Sequence, residues 1–284
     1  DIVMMHVKAN AEYDIPTFIG ARMIPSFTDF VFLFMTVSAF GLCCGYYERF
    51  QDGTVNLESF YKKRFMRILP FFAFLSIVDL IISPSINSFY EMIANMTLMF
   101  GLLPNADITV IGVGWFIGVV FAFYLLFPFF MVLMKNKRRT WMAMGITVIL
   151  NVLCTLYFFD SNHVVEDFSG RSNIVYCFIF FIAGGLIYLY RDKVEKIKPS
   201  VALLVSLISV TLYYSVGSNA FTCLIVSAAL LMLAIVASKP SKSIVGGVLE
   251  NRFTAFLGGL SMEIYLCHMV FYRVLERARM TELT

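Results

Sequence analysis

Few side chains in this 284-residue chain can do chemistry, because 60% of residues are hydrophobic and only 14% are charged. Histidine is the first type to consider, since imidazole changes charge near neutral pH and serves as a general base or as an acyl carrier. His6 ends a short apolar run, where it reads either in one of those roles or as an interfacial histidine at a helix end. Ser261, Tyr265 and His268 recur at i, i+4 and i+7, which places them on one helix face. Such a stripe lines a polar cavity or forms a helix–helix hydrogen-bond patch. Arg64 and Arg67 are three apart and share a face, with Lys62 and Lys63 beside them. Guanidinium binds phosphate bidentately, so this group suits an anionic cofactor such as coenzyme A; on charge alone it also reads as cytoplasmic anchoring. Asp79 and Glu263 fall inside apolar runs, where ionisable groups are costly. His163 shares a short loop with Glu166 and Asp167 and reads as a solvated residue, so no metal is expected. The cysteines lie in apolar runs without a CxxC and read as buried thiols.

The elements that hold these groups follow from hydropathy. A mean hydropathy of +0.81 with 30 Phe excludes a water-soluble domain, a disordered chain and a disulfide-stapled secreted module. A net charge of +3 is too small to indicate nucleic acid. A helical crossing takes about 20 apolar residues. Runs at 27–47, 67–83, 111–134, 141–159, 174–190, 200–217, 220–237 and 254–272, with a tail at 1–7, predict an all-α polytopic bundle of about nine spans. Helices are preferred to strands because the runs are unbroken. The stretch 89–103 is too short to cross and carries Glu91, Asn95 and Thr97, which predicts a re-entrant or interfacial helix.

Basic residues set the orientation, since Lys and Arg collect in cytoplasmic loops. Sixteen of the 22 fall in the stretches 49–67, 135–139, 191–198 and 239–252; only Lys8, Arg22 and Arg171 fall in the intervening loops. This division requires that 89–103 does not cross. It puts 8–26 and 160–173 outside and 48–66 inside. The last span then runs outward and leaves an Arg-rich tail outside, against the charge rule. A trimmed start and a missing closing helix after Tyr272 are the expectation that reconciles both ends.

Four segments in order resemble the integral-membrane acyltransferase family three, which O-acylates surface polysaccharides and lipids. "MMHVKAN" places His6 at the family histidine. "FLFMTVSAF" matches at Ser38 and Phe40, with Ala39 in place of glycine. "FYKKRFMRILPFF" aligns Arg64, Arg67 and Pro70 with the basic run before Ile-Leu-Pro. "LGGLSMEIYLCHMVF" carries Ser261, Tyr265 and His268. "WFIGVVFAFYLLFP" resembles the Trp-initiated helix, but Val119, Val120 and Phe121 stand where many members have a glutamate. The resemblance covers nearly the whole chain. It implies a single membrane-embedded acyltransferase domain over 1–284, in a fold of usually ten helices. It implies acetyl-CoA as donor, a bacterial cell-surface or lipid-linked glycan as acceptor, and a multi-pass place in the cytoplasmic membrane. His6, His268, Tyr265 and Ser261 would be catalytic, and Arg64, Arg67 and Lys63 would hold the cofactor. The competing readings are a transporter or flippase for a lipid-linked sugar, against which the absence of two related halves counts, and an accessory membrane subunit without activity. Neither the acceptor sugar nor the oligomeric state is legible in the sequence.

Overall fold

The computed structural model describes residues 2–10, 15–103, 114–160, 162–164, 170–238 and 251–277. Among them every regular element is helical. In chain order these are α1 (Ile2–Asn10), α2 (Ile19–Gln51), α3 (Leu57–Ile82), α4 (Ile86–Thr97), α5 (Trp115–Met134) and α6 (Lys137–Phe158). They continue as α7 (Ile174–Leu189), α8 (Pro199–Val216), α9 (Ala220–Ala237), α10 (Arg252–Gly259) and α11 (Ser261–Arg277). Polar caps set most of the starts: the side chains of Asn56, Ser85, Asn136, Asn173, Asn219 and Asn251 each accept from a backbone N–H of the first turn. Pro199 opens α8, where a missing N–H costs nothing.

Among the described residues six helices, α2, α3, α5, α6, α8 and α9, are long and apolar enough to cross a membrane, and the α10–α11 pair, bent by 62°, makes a seventh if it is one span. The expected nine are therefore not all present as full-length crossings. The straight span expected over 254–272 is broken at Leu260. α1 has nine described residues, and α7, with 16 residues, rises only about 24 Å. Yet α7 is the centre of the bundle, packed on α2, α5, α6 and α9. Cys177, Ile179, Phe180, Phe181 and Ile182 on it are fully buried. Phe181 stacks on Phe123 of α5 at 3.9 Å, and Phe180 on Phe32 of α2 at 4.3 Å.

The approach of α7 to α2 depends on a missing side chain. A Cβ on Gly184 would lie 2.2 Å from the carbonyl oxygen of Thr36, and small residues let helices in lipid come this close. Gly184→Ala is therefore expected to push the two apart and destabilise the fold by about 1–3 kcal/mol. A thermal melt of the purified protein in detergent checks this; an unchanged midpoint would contradict the close packing.

The stretch 48–66 was expected as a cytoplasmic loop, with the span starting at Arg67. Instead α2 continues to Gln51 and α3 begins at Leu57, so Lys62, Lys63, Arg64 and Arg67 are helical. Lys and Arg are good helix formers, and the Asn56 cap starts the helix ahead of them. α4 has 12 residues, about 18 Å, well short of the ~30 Å apolar thickness of a bilayer. It ends at Leu98, which is fully buried and left-handed (φ 54°), a C-cap conformation usually left to glycine. The chain then passes α5 at Gly101, whose Cβ would lie 2.3 Å from the Gly118 backbone.

The two ends of α2 differ in character. Beyond Tyr46, Glu48 pairs with Arg191 at 3.2 Å. Arg191 also stacks on Tyr188 at 4.4 Å, and Lys137 and Lys193 flank the ring of Tyr190. Such a basic and aromatic belt is what an interface anchor looks like. At the other end, Thr28 and Asp29 meet Arg171, Tyr213 and Ser218. From Thr28 to Tyr46 the helix rises about 27 Å, close to the thickness of a bilayer core.

Candidate active site

α1 and α11 pack against each other and bring the two histidines of interest together. The rings of His6 and His268 lie 5.1 Å apart, centroid to centroid, tilted by 45°. Nδ1 of His268 is 2.6 Å from the carbonyl oxygen of Tyr265. A carbonyl can only accept, so Nδ1 carries the hydrogen and Nε2 holds a lone pair. That Nε2 is buried and meets no hydrogen-bond partner among the described residues.

His6 borders a cavity of about 480 Å³, together with Lys8, Thr28, Trp115, Arg171 and Tyr265. Arg171 crosses from the segment before α7: its guanidinium lies 5.8 Å over Trp115 and donates to Thr28 Oγ1. Sequence reasoning counted Arg171 only among the external-loop charges and met Trp115 only as the start of a matched segment. Both line the cavity instead. The signal for Trp115 was its place in the Trp-initiated segment; Arg171 gave none.

A second cavity, of about 670 Å³, opens beside Arg64 and Arg67. It follows α2 from Tyr46 up to Phe34, a rise of about 18 Å. Arg64 is held in an aromatic cage: its guanidinium lies 5.3 Å over Tyr46, 5.6 Å over Phe60 and 5.7 Å over Tyr124. Nη2 donates to the Tyr46 hydroxyl at 3.1 Å, while Nε is buried without a partner. A guanidinium is weakly hydrated and flat, which suits it to such a cage. Arg67 is exposed at the rim. Lys63 is exposed and does not line the cavity. Ser38, from the second matched segment, does line it, and so does Val120; Val119 and Phe121 are buried in the core.

The stripe on α11 divides between these spaces. Ser261 lies at the break after α10, donates to the Gly258 carbonyl at 2.9 Å and lines only the inner cavity. His268 stands against His6. Tyr265, one turn from each, borders both cavities. Its side chain is 9% exposed and packs edge-on against Phe116 at 5.3 Å. This phenol is thus common to the cavity beside the arginines and the one that His6 lines.

The remaining polar groups lie elsewhere. Asp79 is buried on α3. Glu263 has one carboxylate oxygen buried without a partner. His163 is exposed; its Nδ1 is 2.6 Å from Asp160, and its ring packs on Tyr157. The hydrogen bond from His163 holds the Asp160 carboxyl below its ordinary range. Glu166 and Asp167 lie outside the described residues, among which no group of three or more metal-ligating side chains occurs. The cysteines are unbridged.

No curated protein and no solved structure matches the chain. One family model, described as an acyltransferase domain, matches residues 2–279. On that near-complete match the chain belongs to acyltransferase family three, and is a multi-pass membrane acyltransferase.

Proposed function

We propose that the protein moves an acetyl group from cytoplasmic acetyl-CoA to a hydroxyl of a cell-surface or lipid-linked glycan on the outer side of the plasma membrane. The observation that carries this reading is Tyr265 standing between the two cavities, with Arg64 and Arg67 on one side and His6 on the other. The phosphates of the donor sit against Arg67 and Arg64, and its thioester arm runs along α2 toward Tyr265. The acceptor hydroxyl approaches from the cavity that His6 lines. In direct transfer His6 takes the hydroxyl proton, the oxygen attacks the thioester carbonyl, the carbon–sulfur bond breaks and the thiolate leaves as coenzyme A. In the alternative His6 first receives the acetyl group and then yields it to the acceptor.

A purified protein given acetyl-CoA and an acceptor releases free coenzyme A in step with acetylated product. A transporter would release none, and that result would overturn the reading. The donor end has its own test: changing Arg64 and Arg67 together to Gln weakens coenzyme A binding by about tenfold or more, since charge-assisted hydrogen bonds contribute about 1.5–3 kcal/mol. Titration calorimetry that shows no loss would remove the arginines from the donor site.

A further inference from the structure

A third cavity, of about 710 Å³, adjoins the one that His6 lines and shares Pro25, Thr28 and Arg171 with it. Its walls come from the start of α2, the segment before α7, and the turn between α8 and α9. A groove of about 290 Å³ between α2, α8 and α9 meets this cavity in turn. The two spaces have Ser26, Asp29, Tyr213, Tyr214 and Cys223 in common.

We infer that the groove holds the hydrocarbon chain of a lipid-linked acceptor, whose saccharide head occupies the third cavity. The inference rests on the proposed function and deepens it, since it names the lipid-linked glycan and not the free cell-surface glycan as acceptor. Three observations support it. The first is the order of polarity along each helix. Past Asp29 the α2 lining is Phe30 and Leu33; past Cys223 that of α9 is Val226, Ser227 and Leu230; α8 adds Val210 one turn beyond Tyr213. Thr28 marks one end of the bilayer-length part of α2, so Leu33 lies about 7.5 Å deeper. A bilayer lipid has the same polarity, with its head at the interface and its chain toward the middle.

The second is the border between the two spaces. The hydroxyls of Tyr213 and Ser218 donate to the Asp29 carboxylate, the latter at 2.6 Å, and Tyr214 shares a hydrogen bond of 2.8 Å with Ser26. Each tyrosine presents an apolar body and a polar tip, as aromatic residues do where water meets hydrocarbon. The third is size and access. A cavity of about 150 Å³ takes one benzene, so the groove has room for one chain and not for the paired chains of a phospholipid. Phe27, Phe30, Leu33, Val226 and Leu230 are only half-buried, which leaves an entry from the surrounding lipid. Lipid is as apolar as the groove, so the chain gains little affinity there. What it gains is position, which sets the level of the saccharide beside the His6 cavity.

The test uses the purified full chain in phosphatidylcholine nanodiscs, with decyl lactoside carrying a diazirine at the end of its chain. Illumination is expected to label the groove peptides of α8 and α9. Excess plain decyl lactoside should remove that label, whereas methyl lactoside and phosphatidylglycerol should leave it. Val226 lines the groove and not the third cavity, so Val226→Trp fills the groove alone and is expected to lose most of the label. Ile225→Trp, at an exposed neighbour outside the groove, keeps it. A melt of each variant confirms folding, and Leu230→Trp stands in if Val226→Trp does not fold. Label spread over the lipid-facing peptides, label displaced equally by phosphatidylglycerol, or full label in the filled groove would each overturn the inference.

Release of coenzyme A from acetyl-CoA keeps the two claims distinct. Decyl lactoside is expected to react about tenfold faster than methyl lactoside, and filling the groove should remove that advantage, because misplacing an acceptor by about 1 Å costs on the order of 10²-fold in rate. Equal rates with the two acceptors refute the groove and leave the acyltransfer reading standing. Groove labelling with no release under either acceptor refutes that reading instead.

Discussion

His6→Ala is expected to remove acyl transfer while the protein still inserts and melts as before. The side chain is half-buried at a cavity wall, so truncating it leaves the core on α2, α5 and α7 untouched. The size of the loss separates the two mechanisms. A general base contributes about 10²–10⁴ in rate, so a residual rate within that range indicates direct attack on the thioester. A rate at the limit of detection, with a labelled acyl-histidine trapped in the unsubstituted protein, indicates a covalent carrier. Radiolabelled acetyl-CoA with an acceptor provides the readout, and unchanged labelling of the acceptor would exclude His6 from the reaction. The neighbouring ring enters the same experiment. His268 donates from Nδ1 to the Tyr265 carbonyl, which fixes its orientation against His6. His268→Ala is therefore expected to slow transfer by less than His6→Ala does.

Tyr265→Ala carries the second large effect. Its side chain borders both cavities, of about 480 and 670 Å³, and truncation joins them. The thioester then loses the surface that sets its distance from His6, and a misplacement of about 1 Å can cost on the order of 10²-fold in rate. Water also gains a path between the two sides, so acetyl-CoA hydrolysis should rise as transfer falls. Tyr265→Phe keeps the partition and removes only the hydroxyl, a change of about 0.5–1.5 kcal/mol. Measuring hydrolysis and transfer together on both variants decides it. If alanine and phenylalanine behave alike, the ring is not a partition. If alanine leaves both rates unchanged, Tyr265 has no part in the reaction.

Much of this arrangement was legible before any coordinates. Hydropathy located the apolar helices because a lipid-facing helix needs no periodicity to be seen. His6 and His268 stand far apart in the chain, yet the order of the matched segments brought both forward, and the structure puts their rings in contact. Three things were hidden, each for a physical reason. Basic residues signal a membrane interface equally well from a loop or from a helix turn, so Arg64 was expected in a loop and is caged on α3. Hydropathy measures apolarity and not straightness, so the 62° break at Leu260 was invisible. Arg171 works through Trp115 and Thr28, from parts of the chain with no sequence relation to it, and such long-range pairing leaves no local trace. Val119, Val120 and Phe121 stand where many family members were expected to carry a glutamate. Among the described residues that line the inner cavity no carboxylate takes its place.

The break between α10 and α11 has a consequence for the backbone it exposes. Backbone that leaves the helix inside a bilayer survives only where protein or water meets its free carbonyls. Here Gly258 and Ser261 flank the break, and both face the inner cavity. The Ser261 hydroxyl donates to the Gly258 carbonyl at 2.9 Å, so the kink carries its own partner for the backbone it frees and can sit at depth without a neighbouring helix to satisfy it.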